Sequence, residues 1–244
     1  MKNLKKIRLL CVISARGGSE GLKNKNIKNF YGKPLISWSI SQALKSQFVK
    51  EVFVSTDSKK IAQISIKHGA KIPFLRKKNI SKKNSSKFLV WKDALDRIEK
   101  LNNCKYDYYL DLDCTNPLRS TKDINEICKN FFKKKNFLDG MFTVVEARKN
   151  PYFNIVEKTK KNYYKISKTL RRWPTSRQSS PKVYDQVASM YIFNSNFIRK
   201  RQSMYQGRLG GYLMKKFQNF DIDSNLDFFL IKQLFKKYYL KKLD

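Results

Sequence analysis

From residue 7 to residue 147 the chain alternates short apolar runs with amphipathic stretches, and this alternation limits its fold more than any other feature. Runs rich in Val, Ile, Leu, Phe and Tyr at Ile7 to Ser14, Glu51 to Ser55, Lys71 to Leu75, Asp107 to Leu112 and Met141 to Ala147 read as strands. Helix candidates lie between them at Leu35 to Ser46, Lys59 to His68, Ser86 to Leu101 and Lys122 to Lys133. In the first of these, Ile36, Ile40 and Ala43 share a face at i, i+4 and i+7, and Pro34 stands where a helix start tolerates it. Strand and helix in turn make βαβ units, so the expected fold is α/β, a mostly parallel sheet flanked by helices.

After residue 150 the pattern breaks. Residues 151 to 182 are rich in Pro, Tyr, Lys, Arg and Ser, with two short strand-like runs. About thirty residues cannot bury a core alone, so the segment reads as an insertion that packs on the main domain or on a second subunit. A strand at Ser189 to Phe193, a loop with Asp221 and Asp223, and a helix from about Asn225 follow. The 244 residues therefore read as one domain, 1 to 244, and 41% hydrophobic residues suffice for a packed interior.

The formal charge of +34 suggests a polyanion partner. Of the 53 basic residues, however, 12 are Arg and 41 are Lys, scattered over helix faces and turns as at Lys59-Lys60, Lys77-Lys78 and Lys236-Lys237. Nucleic-acid readers more often interleave Arg with aromatics on one face, so no nucleic-acid partner is expected. Cys11, Cys104, Cys114 and Cys128 form no CxxC pair and no metal-ligand spacing with His68, which fits a reducing cytoplasm. The first apolar run carries Arg8 and passes into a glycine-rich turn, so it reads as a strand, and no run approaches the roughly 18 apolar residues of a membrane helix.

That glycine-rich turn, Ser14 to Asn26, leaves the end of the first strand, where open α/β sheets bind ligands. Gly17, Gly18 and Gly21 permit close approach of backbone N–H groups to an anion, and Arg16, Lys23 and Lys25 add positive charge. It is neither a Walker A loop nor GxGxxG, and taken alone it is equally a plain surface turn.

The run from Ala15 to Ser39, ARGGSEGLKNKNIKNFYGKPLISWS, resembles the opening of the acylneuraminate cytidylyltransferases. The resemblance continues at Val54 to Ser58, at Thr115-Asn116-Pro117-Leu118-Arg119 and at Asp221-Ile222-Asp223-Ser224, in the family's order, over nearly the whole chain. It implies a Rossmann-like fold with a small dimerisation insertion, a homodimer, and transfer of CMP from CTP to the anomeric hydroxyl of a nine-carbon acidic sugar. Such chemistry is mostly positioning and charge neutralisation.

The resemblance also implies roles. Ala15, Arg16, Gly17, Gly18, Ser19, Lys25 and Asn26 would bind the triphosphate, with Arg16, Lys25 and Asp223 catalytic, and Arg76 and Ser86 would contact base and ribose beside Ser85 and Lys87. Asp221 and Asp223 occupy the family's magnesium position and would hold Mg²⁺ or Mn²⁺; without the resemblance the same pair reads as an Asp-rich turn capping the last helix.

Asp113 stands where sialic acid synthetases carry a neutral Gln. It is a third metal candidate, or a partner for a sugar amine or hydroxyl, or a cap for the following helix. The sugar-side candidates are Asp113, Thr115, Arg148, Arg177 and Tyr191, with Arg177 aligned to the arginine that pairs with the sugar carboxylate. The DLDxTxPLR form leans toward the legionaminate branch. Glu20 departs from a usual Lys, and Val187 from an Asn that contacts substrate in relatives. Asp57 and His68 read as structural, Asp57 as the cap of the helix after the second strand. A nucleotidyltransferase for Kdo or pseudaminic acid, and a non-catalytic basic binding protein of the same fold, are the alternatives.

Overall fold

The computed structural model describes residues 7 to 19 and 21 to 240, so Glu20 lies outside the described residues. Strand β1 (Leu9–Ser14) leads through a hairpin, β2 (Asn29–Phe30) and β3 (Lys33–Pro34), into α1 (Leu35–Leu44). Then come β4 (Val52–Ser55), α2 (Lys59–Lys67), α3 (Lys87–Leu101), β5 (Tyr108–Asp113), α4 (Thr121–Lys134) and β6 (Gly140–Glu146). A second hairpin, β7 (Val156–Lys158) and β8 (Tyr164–Ile166), precedes β9 (Tyr184–Asn194), α5 (Ser195–Lys200), β10 (Leu209–Leu213) and α6 (Asn225–Phe235).

Six strands form the central sheet in the order β10-β6-β9-β5-β1-β4, and β9 alone among them runs antiparallel to its neighbours. The mostly parallel α/β expectation holds. Helices cover both faces, which is why β1 is buried along almost its whole length and reads as a continuous apolar run. On one face α1, α2 and α4 pack Ile36, Ile40, Ile61, Ile127 and Phe131 against the strands. On the other, α3 and α5 contribute Phe88, Trp91, Leu95, Phe197 and Ile198.

One expected strand fails and one strand was missed. Lys71 to Leu75 forms no strand; it runs beside β4 through a single bridge at Lys71 to Phe53, because Pro73 has no N–H to continue a ladder. Strand β10 was not read from the sequence at all, since Gly210 and Gly211 weaken the signal. Leu138 and Met141 pack over Gly210 and Val144 over Gly211, where an added side chain would crowd them.

A third apolar cluster sets up the site. Leu22 from the glycine-rich turn, Phe30 and Leu35 at the start of α1, Leu118 after β5, and Ile222 before α6 meet Phe228, Ile231 and Phe235 of α6. Segments nearly 200 residues apart are thereby joined on one floor. Helix α6 begins with a reciprocal cap, Ser224 with Asp227, so Asp221 and Asp223 sit just outside the helix and neither caps it.

Candidate active site

Successive strands β1, β4 and β5 lie in the spatial order β4-β1-β5, so the chain reverses direction across the sheet at the carboxyl ends of β1 and β5. A crevice opens at such a point. Here it is a cleft of about 350 Å³ lined by Ser14, Arg16, Ser19, Lys25, Asn26 and Arg76, by Asp113 and Thr115, and by Tyr191, Asp221 and Asp223.

The glycine-rich turn is fixed from both sides. Gly17 N–H donates to Asp57 Oδ1 at 2.8 Å, and Ser19 N–H donates to the Gly17 carbonyl at 3.1 Å. Two of the amides expected to cradle an anion are therefore engaged within the protein. Gly18 is different: a Cβ there would meet nothing, so packing does not account for the glycine. Asn26 Nδ2 donates to the Arg16 carbonyl at 2.9 Å, and Ala15 is buried with its N–H on the Ser55 carbonyl. Lys23 is exposed and outside the cleft.

Asp57 does not cap α2. Ser58 does, accepting from Ile61 N–H, while Asp57 bonds Gly17 and lies 4.0 Å from the Arg76 guanidinium. Arg76 is buried; burial pushes its pKa down, and Asp57 opposes that shift. Its Nε donates to Ser81 Oγ at 3.1 Å, tying the 80 to 85 segment along the cleft to the base of the turn. Ser86 is exposed and does not line the cleft, whereas Ser85 does.

Opposite the turn, burial of Ile222 in the α6 cluster leaves Asp221 and Asp223 on the cleft side of an extended segment. Lys25 Nζ donates to the Ile222 carbonyl at 2.8 Å and to Asp223 Oδ1 at 2.7 Å. Gly21 packs so close that an added Cβ would lie 2.3 Å from the Asp223 carbonyl oxygen. Asp221 Oδ1 is buried without a hydrogen-bond partner. Burial, then the neighbouring Asp113 and Asp223 carboxylates, push the Asp221 carboxyl up to about 7. A hard cation would relieve both defects. Among the described residues no group of three His, Cys, Asp or Glu side chains is placed to hold a metal ion.

Strand β5 brings in a residue that sequence reasoning passed over. Asp111, wholly buried, and Asp113 point to the same face of β5, and Lys87 from α3 lies 3.0 Å from Asp111 Oδ2 and bonds Asp113. Burial works against the Lys87 charge, but Asp111 and Asp113 outweigh it and hold the ammonium protonated well above its ordinary value. The i, i+2 spacing of Asp111 and Asp113 within a strand was the available signal. Asp113 is not a helix cap; Ser120 caps α4 with Asp123. Arg119 is wholly buried and donates to the carbonyls of Asp113 and Asn116, which shapes the loop that carries Thr115.

The remaining sugar-side candidates do not converge. Arg148 and Arg177 are exposed and outside the cleft; Arg177 Nη2 donates to the Ala147 carbonyl at 3.1 Å beside a separate hollow lined by Glu146, Asn150 and Ser180. Val187 is buried in the core, its carbonyl taken by Thr143 Oγ1 at 2.8 Å, and Ala188 is the neighbour that lines the cleft. Tyr191 does face it, with the Lys87 ammonium 4.3 Å from its ring centre.

A family profile described as "Cytidylyltransferase" matches residues 10–243. The chain is 39% identical over 236 residues to the Campylobacter coli "Post-translational flagellin modification protein B", covering 97% of this chain and 98% of that one. It is 38% identical over 226 residues to the Campylobacter jejuni "CMP-N,N'-diacetyllegionaminic acid synthase", covering 93% and 94%. A solved CMP:2-keto-3-deoxy-manno-octonic acid synthetase complexed with CTP superposes with a TM-score of 0.70 at 17% identity, over 94% of this chain and 99% of that one, a likeness of fold.

Proposed function

This chain belongs to the cytidylyltransferase family, and on that premise we propose that it makes the CMP derivative of a nine-carbon acidic sugar of the legionaminic type. The anomeric hydroxyl attacks the α-phosphorus of CTP, the new C–O–P bond forms, the α–β anhydride breaks, and pyrophosphate leaves. The observation that carries the reading is the Lys25 bridge. It joins the basic, glycine-rich turn to the acidic segment 221 to 223 across one cleft, so triphosphate groups and cation ligands share a site.

Arg16 and Lys25 neutralise triphosphate charge as the α-phosphorus is attacked, and Gly18 leaves room for an anionic oxygen close to the backbone. Asp221 and Asp223 would hold Mg²⁺ or Mn²⁺, with Asp113 within reach of the same charges. Bound there, the ion would screen phosphate charge. Arg76 and Ser85 would contact the nucleoside, and Thr115 and Tyr191 the acceptor sugar; all four line the cleft.

The legionaminic assignment draws on the Campylobacter jejuni relative and on Asp113, a carboxylate that lines the cleft where sialic acid synthetases carry a neutral Gln. A homodimer belongs to the same reading: Val156, Tyr164, Trp173, Tyr184 and Leu213 expose apolar surface on the 151 to 182 segment and the sheet edge beside it. A cytoplasmic location belongs to the same reading, because CTP is a cytoplasmic substrate. Among the described residues no helix is long and apolar enough to cross a membrane.

The test is a panel of nine-carbon and eight-carbon acidic sugars incubated with CTP, Mg²⁺ and the protein, with products identified by mass. A CMP-diacetyllegionaminate product in excess over CMP-pseudaminate, CMP-neuraminate and CMP-Kdo supports the assignment. Preference for another acid moves the substrate within the family, and no CMP-sugar from any acid defeats the reading.

A further inference from the structure

Lys87 leads α3 and reaches to the carboxyl end of β5, where its ammonium meets two carboxylates of different character. Asp111 is wholly buried, so its charge needs a lasting partner, and Lys87 supplies it at 3.0 Å. Asp113 keeps 17% of its side chain exposed, lines the cleft, and is a charged neighbour of Asp221. It is free to trade one cation for another. Asp113 and Asp221 lie on the same cleft as Asp223, with the ammonium groups of Lys87 and Lys25 on Asp113 and Asp223.

We propose that Lys87 is a positioning residue that holds Asp113 while the cleft is without nucleotide, so that the free protein takes up a divalent cation weakly. Asp113 would leave Lys87 for an ion brought in with the triphosphate, while Lys87 stays with Asp111. The ring of Tyr191, 4.3 Å away, keeps the ammonium in place during the exchange. Lys25 on Asp223 makes the same arrangement at the other wall of the cleft. The proposal rests on the metal reading of Asp221 and Asp223.

The experiment is Mn²⁺ binding to the nucleotide-free protein, followed by electron paramagnetic resonance of the unbound ion. Replacing both members of the buried pair, Lys87→Met with Asp111→Asn, avoids stranding a buried charge. That double variant is expected to bind Mn²⁺ roughly fivefold or more tightly than wild type. Lys87→Gln, which keeps a polar group over Asp111, shows the same gain; Lys87→Arg stays within about twofold of wild type, since the charge remains. Adding Asp113→Asn to the double variant removes the gain. Unchanged or weaker Mn²⁺ binding in both Lys87→Gln and the double variant, or a gain that survives Asp113→Asn, overturns the proposal. Wild type that binds no Mn²⁺ even with CTP present defeats the metal reading and this proposal together, whereas a wild type that binds Mn²⁺ and releases no pyrophosphate defeats only the proposed reaction.

Discussion

Lys25 touches the two parts of the cleft that the chain keeps farthest apart in sequence, and its role is separable from stability. Lys25→Met should lower kcat/KM for CTP by about 10²-fold or more, the scale of a lost charge-stabilising donor, with the thermal midpoint little changed. Equal loss of melting temperature and activity would mean that the bridge is structural. Gly21→Ala tests the same junction sterically. Its methyl would lie 2.3 Å from the Asp223 carbonyl, so the turn and the acidic segment must part, and both activity and stability fall, the latter by about 1–3 kcal/mol in chemical denaturation. At this scale the sequence was legible where a residue belongs to a continuous motif, as Arg16, Lys25 and Asp223 do. It was not legible for Lys87 with Asp111, whose pairing exists only once α3 packs on β5. Val187 misled for a related reason: the β6–β9 ladder shifts register between Phe142 and Val144, and the side chain turns into the core.

The α3–α5 contact shows what elements contribute beyond apolar packing. Glu99 of α3 has a buried side chain that accepts from Tyr106 N–H at 2.8 Å, Lys105 at 2.9 Å and Arg199 of α5. Burial alone would raise its carboxyl, but hydrogen bonds from Arg199, Tyr106 and Lys105 outweigh it and hold it below the usual glutamate range. A depressed carboxyl stabilises the fold above its unfolded value, and that contribution is lost as pH falls through the folded value. The denaturation midpoint of wild type should therefore drop as pH falls below the unfolded glutamate value, about 4.3, while Glu99→Gln starts lower at pH 7 and shows a shallower acid limb. Parallel profiles would contradict this. The five helices read from the sequence were legible to within two residues because their apolar faces repeat, whereas the short α5 was not read, and the caps proved to be Ser58, Ser120 and Ser224 where Asp residues were expected. Strands without that periodicity were harder. Pro73 ended one that composition suggested, and paired glycines concealed β10.

Across the whole molecule the charge of +34 acts on encounter more than on fold. If it draws CTP toward the cleft, kcat/KM for CTP falls steadily as NaCl rises from about 0.05 to 0.5 M, while kcat changes little, because exposed charges are screened within about a Debye length. A flat kcat/KM would leave the lysines as solvated surface. Fold class was legible from alternation alone, whereas the joining of residues 14 to 26 with 221 to 223 needed the α6 cluster, in which Leu22, Leu118 and Ile222 meet. The central claim is that this junction is a CTP and divalent-cation site. Its most direct measurement is the initial rate of pyrophosphate release from CTP with N,N'-diacetyllegionaminic acid across a Mg²⁺ titration, for wild type and Asp221→Asn. The predicted result is Mg²⁺-dependent turnover by wild type, with Asp221→Asn slowed about 10²-fold and needing more Mg²⁺. Turnover and Mg²⁺ dependence unchanged in Asp221→Asn would contradict it.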